Sequence, residues 1–258
     1  MMLFRKTDTN FIAHRGMSGI APENTAAAFR LAGESGFWGC ECDIYETARD
    51  EKNGGSFDLA ISHDASLKRM CGIDDPVRSK TARQLSEIRI TGGNGIDVYP
   101  DEKICFFGEY ADICSEFRMA PVVEIKDTRM SDEAIRRAAD ILARKSLLGN
   151  AMILCFDPNK LNTLRYYCRE KYNADPDIYL LAHKYFPVMP VAMKASRNDF
   201  TGLSIHAAHM TGRVYKFCKA RGLQLNFWNV KDDADILDMI TKYRAGSVTC
   251  DFCHFDTM

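Results

Sequence analysis

Short apolar runs alternate with longer amphipathic stretches along most of this chain of 258 residues. Each run is bounded by Gly, Pro or charged residues, a pattern typical of buried strands. The pattern predicts strands at residues 11–14, 39–45, 121–126, 151–156, 178–182, 202–205, 223–230 and 247–251.

Several of the intervening stretches carry apolar residues at helical spacing together with helix start and stop signals. They predict a helix over 25–35 between an Asn24 cap and Gly36, and one over 132–148 behind Ser131. A third carries Met210, Val214 and Cys218 and ends near Gly222, and a fourth is capped by Asp232 or Asp233 and ends at Gly246.

Eight strands alternating with helices over this length predict a (β/α)₈ TIM barrel that occupies the whole chain, residues 1–258, as one domain. A doubly wound open sheet is the alternative, because the alternation does not reveal strand order. Residues 46–120 break the rhythm with a polar stretch, an arm at 57–62 and two further helical segments. We interpret them as an insertion after the second strand, where a separate subdomain is also conceivable.

Charge and hydropathy narrow the possible partners. Lys and Arg number 34 against 35 Asp and Glu, and no basic arm is present, so nucleic acid is not expected as a partner. The apolar runs are too short for a transmembrane segment, and residues 1–10 lack the apolar centre of a signal peptide. These features predict a cytoplasmic protein, and they do not indicate an oligomeric state.

Ten cysteines are spread along the chain. Without a signal peptide, reduced thiols are the favoured interpretation. The spacing of Cys250, Cys253 and His254 also matches haem attachment, and Cys250 and Cys253 with Cys40 and Cys42 make a conceivable four-thiolate zinc site. Cys40 and Cys42, however, are expected on the face of their strand opposite to the acidic residues described next.

Acidic residues stand on two of the predicted strands, where an inward-facing charge must be paired or bound to a cation. Glu41 and Asp43 are two apart and therefore share a face, and the next strand carries Glu124. A buried ion-pair network is the purely structural interpretation. Three carboxylates without a required thiolate favour one hard divalent cation, Mg²⁺ or Ca²⁺, over zinc.

Basic groups and histidines stand at the same strand ends. Arg15 follows the first strand and offers a planar fork for phosphate oxygens, and Lys126 adds a point charge. His14 and His63 can exchange protons near neutral pH. A cation site with two basic side chains and two imidazoles predicts phosphoryl chemistry.

At these residues the chain resembles the glycerophosphodiester phosphodiesterase family. The matching motifs are HRG at 14–16, PENT at 22–25, ECD at 41–43, HD at 63–64 with Leu67 and Arg69, EIK at 124–126, FD at 156–157 and WNV at 228–230. They run in family order over nearly the whole chain. HRG with PENT and a following ExD is a specific combination.

The resemblance implies a TIM barrel that hydrolyses glycerophosphodiesters to an alcohol and glycerol 3-phosphate. By the family pattern, Glu41, Asp43 and Glu124 would bind the divalent ion and His14 and His63 would act as general acid and base. Arg15 and Lys126 would hold phosphate. We interpret Trp228 as a wall for the glycerol moiety, with a plain core residue as the alternative. Glu23 is interpreted as support for a group that contacts the substrate, with a favourable charge at a helix start as the alternative.

The chain departs from the family pattern at four places. Residues 104–109, ICFFGE, match the usual I-P-T-L-E-E segment only faintly. The usual T-x-D-G turn is replaced by residues 47–50 and the EKNGG stretch, Asn229 stands where threonine is usual, and the last strand ends in CDFC at 250–253. A related barrel phospholipase, similar to sphingomyelinase D, and a non-catalytic phosphate- or metal-binding module are the alternatives. The two histidines favour an enzyme, because binding alone needs no acid/base pair.

Overall fold

The computed structural model describes residues 9–183, 185–228, 230 and 233–252, which fold as a parallel barrel surrounded by helices. The strands are β1 Asn10–Ala13, β2 Gly39–Glu46, β3 Leu59–Ile61, β4 Ala120–Ile125, β5 Met152–Cys155, β6 Asp177–Ala182, β7 Gly202–His206, β8 Gln224–Trp228 and β9 Ser247–Cys250. The helices are α1 Ala26–Glu34, α2 Lys68–Cys71, α3 Ala82–Leu85, α4 Phe107–Phe117, α5 Asp132–Arg144, α6 Pro158–Tyr172, α7 Val188–Arg197, α8 Gly212–Ala220 and α9 Asp233–Tyr243.

The barrel closes through β1, which pairs in parallel with both β9 and β2. Ala13 of β1 lies opposite Cys250 on one side and opposite Cys40 on the other. An open sheet would leave β1 with a free edge, so the closure confirms the predicted (β/α)₈ barrel and excludes the doubly wound alternative.

The segment after β2 carries the arm that the sequence predicts at 57–62. Its strand β3 pairs antiparallel with the end of β2, Ile61 lying opposite Ile44. The following residues have a small core of their own, which includes Leu67, Val77 and Leu85. Helix α4 then packs between α1 and α5, so it belongs to the outer ring of the barrel.

Two helix ends differ from the sequence prediction. Thr25, and not Asn24, caps α1: its side chain accepts a hydrogen bond from the Ala28 N–H, whereas Asn24 adopts a left-handed conformation with φ of 59°. Helix α5 is capped by Ser131 as predicted but ends at Arg144, before a 3₁₀ turn at Leu148–Asn150. Helices α6 and α7 were not specified by the sequence pattern.

Strand β2 separates its two faces as predicted. Cys40 and Cys42 point into the apolar core between barrel and helices, while Glu41 and Asp43 point into the barrel. Burial raises the pKa of both thiols well above its usual range, as expected for reduced structural cysteines. Cys250 is also buried, and Cys253 and His254 lie outside the described residues, as do Asn229 and Asp232.

Among the helices described, none is both long enough and apolar enough to cross a membrane.

Candidate active site

Three buried carboxylates meet inside the barrel where β2 and β4 pair. Asp43 lies opposite Glu124 in the register of the two strands, and Glu41 is two residues earlier on β2. One oxygen from each of the three lies within 4.8 Å of the others. The strand pairing therefore brings together the three carboxylates that the sequence analysis nominates as cation ligands.

Two basic side chains offset part of this negative charge. Lys126 Nζ lies 3.2 Å from Asp43 Oδ1 and 3.1 Å from Glu124 Oε1, and Arg15 Nε lies 3.6 Å from Asp43 Oδ2. Both of the oxygens next to Lys126 are nevertheless buried without a hydrogen bond of good geometry. Buried carboxylate oxygens that lack such a bond fit a hard cation as their missing partner.

The three carboxylates have different pKa values because their surroundings differ. Burial raises the pKa of Glu41 well above its usual range, and Asp43 adds to the shift. Burial likewise raises the pKa of Glu124, to about 7. For Asp43 burial acts in the same direction, but Lys126 and Arg15 outweigh it and hold the pKa at about 2. A cation would relieve the repulsion that keeps protons on the two glutamates.

The HRG motif places a backbone donor on this cluster. Arg15 and Gly16 both adopt left-handed conformations, with φ of 56° and 76°, and the Arg15 N–H donates to Glu41 Oε2 at 2.8 Å. A Cβ on Gly16 would come within 2.6 Å of the Ala28 carbonyl carbon. The third residue of the motif must therefore be glycine for this turn to pack against α1.

The first imidazole, His14, is held by a carboxylate from the far end of the chain. Its Nδ1 lies 2.7 Å from Asp251 Oδ1, and Ser18 Oγ donates to the same oxygen at 3.2 Å. The hydrogen bond from His14 lowers the pKa of Asp251, and its charge adds to the effect. Because an ionised carboxylate can only accept, the proton stays on Nδ1 and leaves Nε2 to exchange protons.

The second imidazole, His63, comes from the segment after β3 and has the same arrangement. Its Nδ1 lies 2.7 Å from Asp64 Oδ1. Arg69 Nε donates to the other oxygen of Asp64 at 2.6 Å, and the Arg69 fork also binds Glu23 at 2.6 and 3.1 Å. Glu23 in turn accepts from Arg15 at 3.1 Å. An unbroken chain of charged contacts therefore joins His63 to Arg15.

The environment of His63 favours its neutral form. Burial lowers the pKa of His63, and Lys126 and Arg15 lower it further, against the opposing effect of Asp43. A neutral imidazole whose Nδ1 proton is held by Asp64 presents Nε2 as a proton acceptor.

Asn24 also contributes to the acidic cluster, a contact that the helix-cap prediction missed. Its Nδ2 donates to Asp43 Oδ2 at 2.9 Å. Its side-chain oxygen Oδ1 is buried and accepts no hydrogen bond from the described residues. The left-handed backbone of Asn24 allows this reach while Thr25 takes over the helix cap. The only sequence signal was the PENT motif itself.

Two of the three carboxylates, Glu41 and Glu124, and both imidazoles line one cavity of about 490 Å³ inside the barrel mouth. Its lining comprises His14, Arg15, Glu41, His63, Glu124, Lys126, Leu154, Phe156, Leu181, His183, Tyr185, Ser204, Asn226, Trp228 and Thr249. Of the nominated residues, Asp43 lies beneath this lining and Glu23 behind Arg15 and Arg69. The Trp228 Nε1 is buried and has no hydrogen-bond partner among the described residues.

Comparison with models of known protein families identifies the family of this chain. The model of the glycerophosphoryl diester phosphodiesterase family matches residues 14–254. The chain belongs to this family.

Individual relatives agree with the family match. Glycerophosphodiester phosphodiesterase 1 of Homo sapiens is 26% identical over 156 residues, which are 60% of this chain and 44% of the human protein. A glycerophosphodiester phosphodiesterase of Bacillus altitudinis is 39% identical over 77 residues, 30% of this chain and 29% of that protein. The chain therefore matches less than half the length of these relatives.

Solved structures share the fold. A phosphodiesterase of Oleispira antarctica, in complex with the product sn-glycerol-3-phosphate, superimposes with a TM-score of 0.78 at 21% identity, covering 94% of this chain and 93% of that one. A glycerophosphodiester phosphodiesterase of Agrobacterium tumefaciens gives 0.72 at 18% identity, covering 95% and 96%. At these identities the likeness establishes the barrel fold.

Proposed function

We propose that the protein hydrolyses glycerophosphodiesters to an alcohol and glycerol 3-phosphate, as a phosphoric diester hydrolase. The observation that carries the proposal is a cluster of three buried carboxylates, two of which line the same cavity as two carboxylate-held imidazoles. Membership of the family and the product bound in the Oleispira relative support it. The barrel would be one catalytic domain, with an insertion within residues 46–120.

Glu41, Asp43 and Glu124 would together hold one divalent cation, Mg²⁺ or Ca²⁺. The oxygens that lack a well-formed hydrogen bond on Asp43 and Glu124, and the all-oxygen donor set, fit such an ion. When bound, the ion supplies charge stabilisation to a non-bridging phosphate oxygen. It would also stabilise the ionised forms of the two glutamates whose pKa values are raised.

Arg15 and Lys126 would bind the phosphate group. Both line the cavity, and each keeps its positive charge because neighbouring carboxylates raise its pKa despite the opposing effect of burial. Glu23 and the Glu41 carboxylate orient Arg15 from its side chain and its backbone respectively. This support fixes the fork before substrate arrives.

His14 and His63 would perform the proton transfers. One takes a proton from the nucleophile as its oxygen forms the new bond to phosphorus, and the other donates a proton to the leaving oxygen as its bond to phosphorus breaks. The nucleophile is water, or first the 2-hydroxyl of the glycerol moiety, which gives a cyclic phosphate that water then opens. Trp228 would form a wall for that glycerol moiety.

A panel of glycerophosphodiesters assayed with and without EDTA tests this proposal. We expect release of glycerol 3-phosphate from at least one substrate, loss of activity in EDTA, and recovery on addition of Mg²⁺ or Ca²⁺. Full activity in chelator would contradict the cation, and no hydrolysis with either ion across the panel would contradict the enzyme assignment.

A further inference from the structure

The cavity wall over β5 and β6 differs in chemistry from the rest of the site. Leu154 and Leu181 form its inner part, and Phe156 and the rings that follow β6 form its outer part. Two carboxylates are among the described residues that line the cavity: Glu41 on β2 is two strands away from β5, whereas Glu124 on β4 lies opposite Leu154, so the charged part of the site begins at the inner edge of this wall. We call Leu154, Phe156, Leu181, His183 and Tyr185 the apolar wall.

The outer part of the apolar wall is a cluster of rings. The His183 ring centroid lies 5.6 Å from that of Phe156, 5.2 Å from Tyr185 and 5.4 Å from Phe186. Phe156, Tyr185 and Phe186 are 37%, 74% and 64% exposed, whereas Leu154 and Leu181 are buried. The wall therefore continues from the interior of the barrel to its rim as one hydrocarbon and aromatic surface.

The part of the lining that continues over β7, β8 and β9 is polar and uncharged, except that the Trp228 ring packs against the apolar cluster that includes Leu154 and Leu181. We call this part the polar wall. Asn226 Nδ2 donates to Ser204 Oγ at 2.8 Å, and Thr249 Oγ1 donates to Asn226 Oδ1 at 3.1 Å. The indole N–H of Trp228, on the same wall, has no partner in the part of the chain that the structure describes. Hydroxyl groups of a polyol find donors and acceptors on this wall and none on Leu154 or Leu181.

The phosphate must lie between these two walls, because Arg15, Lys126 and both imidazoles are beside β1, β2 and β4. The two ester arms of the substrate then extend in different directions. The glycerol arm carries two hydroxyls and matches the polar wall. The leaving arm then lies against the apolar wall. Hydrocarbon on this arm exchanges contact with water for contact with leucine and aromatic side chains.

We propose that the apolar wall is the leaving-group subsite and that it selects glycerophosphodiesters whose leaving alcohol carries an uncharged hydrocarbon chain. This inference rests on the proposed function and adds a substrate class to it. The chain would lie first against Leu154 and Leu181 and then against Phe156 and the His183 ring.

A series of synthetic substrates tests the subsite: glycerophosphate esters of ethanol, butanol, hexanol and octanol, assayed as monomers, with glycerophosphoglycerol as the polar reference. We expect kcat/KM to rise along the alkyl series by up to about fourfold per methylene, the value for full burial, until the wall is covered. Equal kcat/KM for the octyl and glyceryl esters would overturn the proposal.

Variants locate the effect on the wall. In Phe156→Asn the ratio of octyl to glyceryl kcat/KM should fall at least ~10-fold, a loss that corresponds to about two methylenes. Trp38→Ala is the matched control, because Trp38 is 38% exposed against 37% for Phe156 but precedes β2 at the other end of the barrel. The control should keep the wild-type ratio, and an unchanged ratio in Phe156→Asn would overturn the assignment to this wall.

A matched pair separates hydrocarbon contact from recognition of a cation by the rings. The choline ester and its uncharged analogue, the 3,3-dimethylbutyl ester, have almost the same shape. The proposal predicts that the uncharged ester is the better substrate, whereas faster hydrolysis of the choline ester would identify a cation-binding ring cluster and overturn it. Hydrolysis of glycerophosphoglycerol without chain-length preference would reject the subsite alone, and failure to hydrolyse any ester would reject the proposed function.

Discussion

His14 Nδ1 and Asp251 Oδ1 lie 2.7 Å apart although their residues are separated by 237 positions in the chain. The contact exists because β1 and β9 are adjacent where the barrel closes, Ala13 lying opposite Cys250. The carboxylate fixes the proton on Nδ1 and can stabilise the imidazolium that forms when Nε2 takes a proton. We therefore expect Asp251 to set the tautomer of His14 and to stabilise its protonated form.

Replacing Asp251 by Asn should lower kcat by roughly 100-fold or more, because the amide has no charge to hold the imidazolium and can support the wrong tautomer. Steady-state kinetics and circular dichroism would measure activity and folding together. Asp157→Asn is the matched control: Asp157 follows β5, caps α6 by accepting from Asn159, and Asn caps a helix equally well. Near-normal kcat in Asp251→Asn would remove Asp251 from the mechanism.

The two imidazoles can be tested directly. His14→Ala and His63→Ala should each lower kcat by at least ~100-fold while the protein stays folded, since each removes one proton transfer. The pH profile of kcat/KM in the wild type should be bell-shaped, with one limb absent in each variant. A variant with almost full activity would show that its histidine has no part in the reaction.

Loss of one carboxylate from the acidic cluster should weaken cation binding. Calorimetric titration of Glu41→Gln with Mg²⁺ or Ca²⁺ should give an affinity at least ~10-fold below wild type, the scale reported even for groups that only support a ligand. Glu46→Gln is the control, because Glu46 belongs to the same strand but binds the N-terminus of α5 through Ser131. Equal affinity of Glu41→Gln and wild type would refute the ligand role.

The raised pKa of Glu124 predicts how stability depends on pH. In the cation-free protein Glu124 titrates at about 7, against 4.5 when unfolded, so the native state binds more protons between these values. The contribution of Glu124 to the free energy of unfolding should therefore fall as pH rises from 4.5 to 7, against an opposite contribution from His63, whose pKa is lowered by burial. Glu41 acts in the same direction, whereas Asp43, at about 2, loses its stabilising contribution only in stronger acid.

Urea unfolding at pH 4.5 and 7.5, with and without cation, measures this effect. Saturating Mg²⁺ or Ca²⁺ should raise stability more at pH 7.5 than at pH 4.5, because the ion competes with protons on the glutamates. Glu124→Gln should show a smaller fall of stability between the two pH values. An equal change of stability with pH in Glu124→Gln and in the cation-free wild type would contradict the raised pKa.

Arg69 should act as a positioning residue for both His63 and Arg15. Arg69→Gln removes its ionic contacts to Asp64 and Glu23, so we expect a fall of about tenfold in kcat/KM and partial recovery in Arg69→Lys. Because the hydrogen bond from Arg69 lowers the pKa of Asp64, that pKa should rise in Arg69→Gln. NMR titration measures this shift without depending on turnover. Lys68 is on the same helix as Arg69 and pairs with the exposed Asp74 beyond the helix end, so Lys68→Gln should behave as wild type. An Arg69→Gln variant with wild-type kcat/KM would exclude the role.

Sequence periodicity was sufficient to predict the architecture and part of the candidate site. Alternating apolar strands and helices indicated the barrel, and the spacing of two between Glu41 and Asp43 assigned them to one face, with Cys40 and Cys42 on the other. Those inferences depend only on local geometry, because successive strand residues point to opposite sides whatever the strand contacts. The same local logic found the Ser131 cap of α5.

Contacts between segments that are distant in sequence could be identified only from the tertiary structure. The alternation does not state which strand lies beside which, so it could not place Asp251 against His14 or connect Arg69 to Glu23. It assigned Asn24 to a helix cap, but Thr25 takes that position because Asn24 turns into the left-handed region and binds Asp43. The division of the cavity into charged, apolar and polar walls likewise arises only when the barrel closes and sets the order of the strands around the substrate.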